Sequence, residues 1–179
     1  MSHRPASLRS LLPALAVSLM VVTPFANAEE TESMLGAGEH FPVLELEDQF
    51  GDERPVPGEA SLVVFSGSKE ADDTLSGTLA EVAGDALRAG ETIYLSDISR
   101  MPGLITKLFA MPALKDRDYP VTLIREEGVG DALPATDGCV TLFHLSDEGV
   151  VGRIDEACEP EALRAALNPE APVPVEQQP

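Results

Sequence analysis

Tryptophan is absent from this chain, aromatic residues make up 4%, and basic residues number 12 against 31 acidic ones. A net charge of -19 excludes a nucleic-acid binder, because neutralising phosphates takes clustered Lys and Arg. It equally disfavours docking on anionic lipid. The scarcity of aromatics argues against broad stacking platforms for bases or sugars. Two cysteines exclude a disulfide-rich scaffold and a four-cysteine zinc site. No Gly-rich phosphate loop with Lys and Ser or Thr occurs. Neither Gly36-Ala37-Gly38 nor Gly128-Val129-Gly130 carries the third glycine of a dinucleotide fingerprint. No cofactor is expected. Hydrophobic residues, at 44%, are plentiful enough for a core within 179 residues.

Residues 1–28 read as a signal peptide. Arg4 and Arg9 precede the apolar run Leu11 to Val22, which is short for a bilayer span, and Ala26-Asn27-Ala28 is a small-residue cleavage pattern. No cysteine follows to carry a lipid anchor. The mature chain is expected to start near Glu29, to be periplasmic or secreted, and to make no stable membrane insertion. Removing the leader leaves ten basic residues against 31 acids, a net charge of -21. Such a surface keeps a protein soluble by repulsion and hydration, and fits either a saline exterior or an ordinary acidic exported protein.

The body alternates strand and helix patterns. Phe41 to Asp48 reads as a strand with Val43, Glu45 and Glu47 interleaved, and Gln49 to Gly58 as a turn-rich loop. Leu62 to Phe65 is a continuous apolar run, as in a strand buried on both faces. Ser66-Gly67-Ser68 breaks it and offers N-cap hydroxyls. A helix is predicted from Lys69 to Ala89 with Leu75, Leu79, Val82 and Ala86 facing inward, stopped by Gly90. Thr92 to Leu95 is a second buried strand. A short helix over Gly103 to Met111 is expected to bury Leu104, Ile105, Leu108 and Phe109. With Met101 and Met111 these residues read as core, the competing reading being an adaptable partner-binding surface. Lys115 to Asp118 reads as a solvated loop, and Val121 to Ile124 as a strand. Val140 to Leu145 and Val150 to Ile154 flank a hairpin turn, and Pro160 opens a last helix. Asn168 to Pro179 is a Pro-rich tail. Strand-helix-strand order implies parallel strands through right-handed crossovers. The fold class is therefore an α/β sandwich: a mixed central sheet, helices on both faces, and a C-terminal β-hairpin plus helix.

The segment Gly38-Glu39-His40-Phe41-Pro42 through Asp48-Gln49-Phe50-Gly51 resembles the opening of the redoxin, or peroxiredoxin-type, branch of the thioredoxin-like superfamily. Leu62 to Phe65 resembles the strand feeding that family's active-site helix. Tyr119-Pro120-Val121 resembles its inserted strand, and Gly138 through Gly149 its last hairpin. The resemblance spans residues 38–168, with 29–37 a linker and 169–179 a tail. It implies a thioredoxin-like fold. The family's reactive thiols sit where the apolar strand turns into the long helix, whose dipole favours the thiolate. Here that turn is Ser66, Gly67, Ser68, Lys69, Glu70, Ala71, Asp72, Asp73, with Glu70 and Asp73 about where the two cysteines would stand. Val140 occupies the place of the family's cis-proline.

These departures imply an exported thioredoxin-like module without thiol catalysis, with no catalytic residue assigned. Its expected partner is another exported or envelope protein. One alternative is a redox enzyme using Cys139 and Cys158. Another is a small-molecule or metal carrier using the groove near Glu70 and Val140. Glu70, Asp72 and Asp73 read as first-turn acids complementing the helix dipole, against a cation site or acid-base pair. Ser66 and Ser68 read as caps, with nucleophilic roles only if His40 or His144 came near. No metal is expected, since Cys139, Cys158 and His144 match no finger spacing. The two cysteines are predicted to pair. A two-residue turn at Glu148-Gly149 sets Phe143 opposite Ile154 and Cys139 opposite Cys158, within disulfide reach. The same count makes 139 and 158 a hydrogen-bonded, wide pair, which a bulge would relieve; two unpaired thiols are the alternative.

Overall fold

The computed structural model describes residues 34–167. The leader at 1–28, the first linker residues at 29–33 and the tail at 169–179 lie outside the described residues. Seven strands form one sheet: β1 (Leu44–Asp48), β2 (Glu53–Val56), β3 (Leu62–Ser66), β4 (Thr92–Asp97), β5 (Thr122–Ile124), β6 (Val140–Leu145) and β7 (Val151–Ala157). Their order is β2-β1-β5-β4-β3-β6-β7. The central β5, β4 and β3 run parallel and every other neighbouring pair is antiparallel. This is the mixed sheet that the sequence pattern predicts.

Helix α1 (Lys69–Ala89) starts at Ser68, whose hydroxyl accepts the Ala71 N–H, and stops at Gly90 with φ 80°, a conformation that favours glycine. Its buried stripe is Ala71, Leu75, Leu79, Ala83 and Leu87. The expected Val82 and Ala86 are displaced from that stripe, Val82 facing solvent. Strict four-residue spacing from Leu75 follows the face that the sheet covers. Helix α4 (Pro160–Leu167) packs beside α1 and buries Leu163.

Helices were expected on both faces of the sheet, and the described helices share one. The crossovers β3 to β4 and β4 to β5 step in the same direction, so right-handedness puts both on the same side. There Val64, Tyr94, Leu123 and Leu142 pack with Leu75, Leu114 and Leu163. On the other face Val63, Phe65, Leu95 and Phe143 are covered by Leu35, Phe41 and Leu133 from non-helical chain. The segment joining β5 to β6 holds Gly128, Gly130, Pro134 and Gly138, which break any helical run.

Four local expectations are corrected. The first strand starts at Leu44, not Phe41; Val43 just before it is 77% exposed, on the side of Glu45 and Glu47, while Leu44 and Leu46 turn inward. The supposed loop after Gln49 contains β2, where Pro55 is tolerated on a sheet edge. The helix at Gly103 runs further, as α2 (Gly103–Ile105), a π-helical segment (Thr106–Ala110) and α3 (Met111–Lys115). Within it Leu104, Ile105, Leu108 and Phe109 are 69, 40, 55 and 64% exposed, not buried. The i to i+5 bonding of the π-helical segment shifts which side chains meet the sheet, and Leu114 alone becomes buried. Lastly, the hairpin turns over Ser146 to Gly149. The Gly149 N–H donates to Ser146 O, the Ser146 N–H donates to Val150 O, and a bulge follows at His144/Leu145. Beyond that bulge the register is the expected one, Phe143 opposite Ile154 and Val140 opposite Ala157.

Candidate functional site

The ends of β4 at Asp97, β3 at Ser66, β6 at Val140 and β7 at Ala157 lie along one edge of the sheet. The α1 turn occupies its middle. Ser66 is buried and its hydroxyl donates to Ser68 O at 2.9 Å. The Ser68 hydroxyl accepts the N–H groups of Ala71 and Gly138, each at 3.2 Å. A Cβ on Gly67 would stand 2.7 Å from the Ala135 Cβ, so the chain crosses too closely here for any larger residue. The turn is thus closed by its own hydrogen bonds. His144 pairs with Leu62 at the other end of β3, and His40 bridges Val150 near the hairpin turn. Neither histidine is placed to activate Ser66 or Ser68.

The three first-turn acids go separate ways. Asp73 pairs with Lys69, and exposed Glu70 lies beside Gly138. Asp72 accepts the Tyr94 hydroxyl at 2.5 Å and both arms of Arg117, at 3.1 and 2.5 Å. Arg117, expected in a solvated loop, instead lies largely buried with its guanidinium 5.7 and 5.9 Å from the Tyr94 and Tyr119 ring centres. Burial opposes the Arg117 charge, but the Asp72 carboxylate outweighs it and holds the arginine charged more firmly than usual. Burial first, then the Asp72 charge, pushes the Tyr94 hydroxyl well above its ordinary value. Sequence reasoning missed this network because its members are far apart in the chain. In the sequence Arg117 stands in the charged run Lys115 to Asp118, which carries no signal of burial.

Beside the network opens a cavity of about 450 Å³, lined by Ser96 and Asp97 of β4, Asp72 and Arg117, and Met101, Ile105, Phe109 and Leu114. Neither Glu70 nor Val140 lines it, although Ser68, Lys69 and Asp73 of the same turn do. Val140 is buried and the peptide before it is trans; the cis peptide among the described residues is Val56-Pro57.

At the far end of the same edge, Cys139 and Cys158 form a disulfide, with S–S 2.03 Å and Cα–Cα 3.9 Å. Both residues lie just outside the ladder, Cys139 before β6 and Cys158 after β7, so they are not held to the wide hydrogen-bonded spacing. Cys139 is buried and Cys158 exposed. Cys158 directly follows β7 and stands two residues before Pro160, the first residue of α4. The Glu156 carboxylate lies 3.8 Å from its sulfur. Cys139, Glu156 and Cys158 cluster closely enough for a metal, yet both sulfurs are engaged with each other. His144 stands five residues along from Cys139, about 16 Å by strand rise, and pairs with Asp155 at 2.9 Å instead.

No protein-family model matches the sequence, and no curated protein matches it. Solved structures do. A candidate protein disulfide isomerase from Bacteroides thetaiotaomicron gives a TM-score of 0.55 at 11% identity, over 76% of this chain and 91% of that one. A candidate thiol:disulfide interchange protein DsbE from Chlorobium tepidum gives 0.51 at 12% identity, over 74% and 99%. An uncharacterised conserved protein from Geobacillus kaustophilus gives 0.52 at 16% identity, over 82% and 89%. The likeness lies in the fold, which is thioredoxin-like.

Proposed function

We propose that this is an exported thioredoxin-like protein whose thiol centre has moved from the α1 turn to Cys139 and Cys158, where it exchanges disulfides with another envelope protein. One observation carries the reading: an exposed sulfur, Cys158, sits in a disulfide between a strand end and the start of a helix, on the same sheet edge as the α1 turn. That strand-cysteine-helix arrangement is the one in which a helix dipole favours a thiolate. Glu156 and Glu159 oppose the effect by like charge. The exchange balances as follows. A thiolate of a partner dithiol attacks Sγ of Cys158, the S–S bond breaks, and Sγ of Cys139 leaves as a thiolate that takes up a proton. The partner's second thiolate then attacks its own first sulfur and releases Cys158, leaving two thiols here and a disulfide on the partner.

A second reading keeps the fold for binding alone, and the cysteine-free α1 turn favours it. Turnover separates the two. With dithiothreitol as donor, the mature protein is expected to reduce insulin disulfides above background, and Cys158→Ser to abolish that activity. A rate at background, with the disulfide intact, supports the accessory module. Export rests on the leader pattern, and secreted material is expected to begin at or near Glu29. Recovery of only full-length chain in the membrane fraction contradicts it.

A further inference from the structure

Residues Ile98 to Lys115 contain no Asp or Glu, the longest acid-free run after the leader in a chain with 31 acids. The run carries Arg100, Lys107 and Lys115. Among the described residues every arginine is ion-paired with a carboxylate, and Lys69 with Asp73. Lys107 and Lys115 have no such pair, and both are exposed. Leu104, Ile105, Leu108 and Phe109, all exposed, flank Lys107 in the chain, and Lys115 ends α3. Ile105 and Phe109 also form part of the wall of the 450 Å³ cavity, whose deeper lining includes Met101 and Leu114. Scattered surface apolar residues need no explanation, but four large ones in six positions beside a cavity mark a contact surface.

We propose that the α2–α3 ridge and its cavity form a docking site for an acidic polypeptide segment bearing a large apolar side chain. The apolar anchor enters the cavity beside Ile105 and Phe109, and flanking carboxylates face Lys107 and Lys115. Charge decides the occupant. Within Gly103 to Lys115 the only charged side chains are Lys107 and Lys115, so carboxylates flanking the anchor meet cations there, while Asp72, Asp73 and Asp97 line the cavity that takes the apolar side chain; an anionic lipid surface would span far more than the ridge and meet the acidic body. A second copy packed about a two-fold axis would set the same lysines against each other. The site stands independently of the thiol reading, since the disulfide lies on β6 and β7 and the ridge follows β4.

Selection of a random displayed peptide library on the folded protein tests this, followed by titration of the consensus peptide. The expected peptides are enriched in Asp and Glu beside Leu, Ile, Met or Phe. Their affinity falls about tenfold in a Leu108→Ser, Phe109→Ser variant. It also falls in Lys107→Glu, Lys115→Glu, and weakens with added salt. All these positions are exposed, and an unchanged melting temperature shows that the variants fold. A Cys139→Ser, Cys158→Ser variant is expected to bind as the parent does, which separates this inference from the thiol reading. Four results overturn it: no enrichment, enrichment of basic peptides, binding to anionic phosphatidylglycerol vesicles that the ridge variants abolish, or dimerisation that they abolish.

Discussion

At the scale of single residues, the informative group is Asp72, Tyr94 and Arg117. Each is placed by a different element, and the guanidinium and carboxylate meet face to face away from bulk solvent. Removing one partner of such a pair leaves the other uncompensated. Arg117→Met is expected to cost about 3 kcal/mol in a denaturant titration. Tyr94→Phe removes one hydrogen bond and should cost about 1 kcal/mol. Near-equal values for the two would contradict a buried ion pair. Asp48 supplies a pH signature. Burial would raise its carboxyl, but N–H groups of Phe50 and Asp52 and the Arg54 side chain hold it below the usual range. A depressed folded value means that its contribution is full above the unfolded value of about 4 and lost as pH falls through the folded one. Asp48→Asn should therefore flatten the acid limb of stability measured below about pH 4. None of this was legible in the sequence. Arg117 sat in the charged run Lys115 to Asp118, where neighbours in sequence suggest solvent and neighbours in space do not.

At the scale of elements, the sequence was clearest where one physical signal dominated. Helix α1 has a serine cap, a glycine stop and a consistent apolar spacing, and its ends fall where expected. The hairpin register followed from matching Phe143 to Ile154, since a one-residue slip would turn every side chain over. That register placed the two cysteines opposite each other, although the turn itself is longer than supposed. The α2–α3 ridge departs from the expected burial because an apolar helical stripe has the same sequence pattern whether or not the sheet covers it. The missed β2 shows the converse, since Pro55 and Pro57 conceal a strand that needs hydrogen bonds on one side only. The cross-strand disulfide closes a loop of separation 19. Replacing both cysteines by serine is expected to lower unfolding free energy by about 3 kcal/mol. The faster hydrogen exchange that accompanies this loss should concentrate in β7 and α4, and a uniform loss across the sheet would contradict that placement.

At the scale of the whole molecule, one edge of the sheet carries the features that could act: the closed α1 turn, the cavity with its cationic apolar ridge, and the disulfide. Elsewhere the acidic surface repels itself, so the melting temperature is expected to rise with added salt. The disulfide between the start of β6 and the end of β7 makes redox exchange the property to measure. The direct test is an equilibrium titration of the native protein in glutathione buffers, with thiols counted by alkylation and mass. Exchange predicts a reversible two-electron transition within about -180 to -270 mV, the range of protein dithiols that trade disulfides, with the fold retained on reduction. A Cys139–Cys158 bond that stays oxidised to below about -300 mV, or opens only when the chain unfolds, would contradict it.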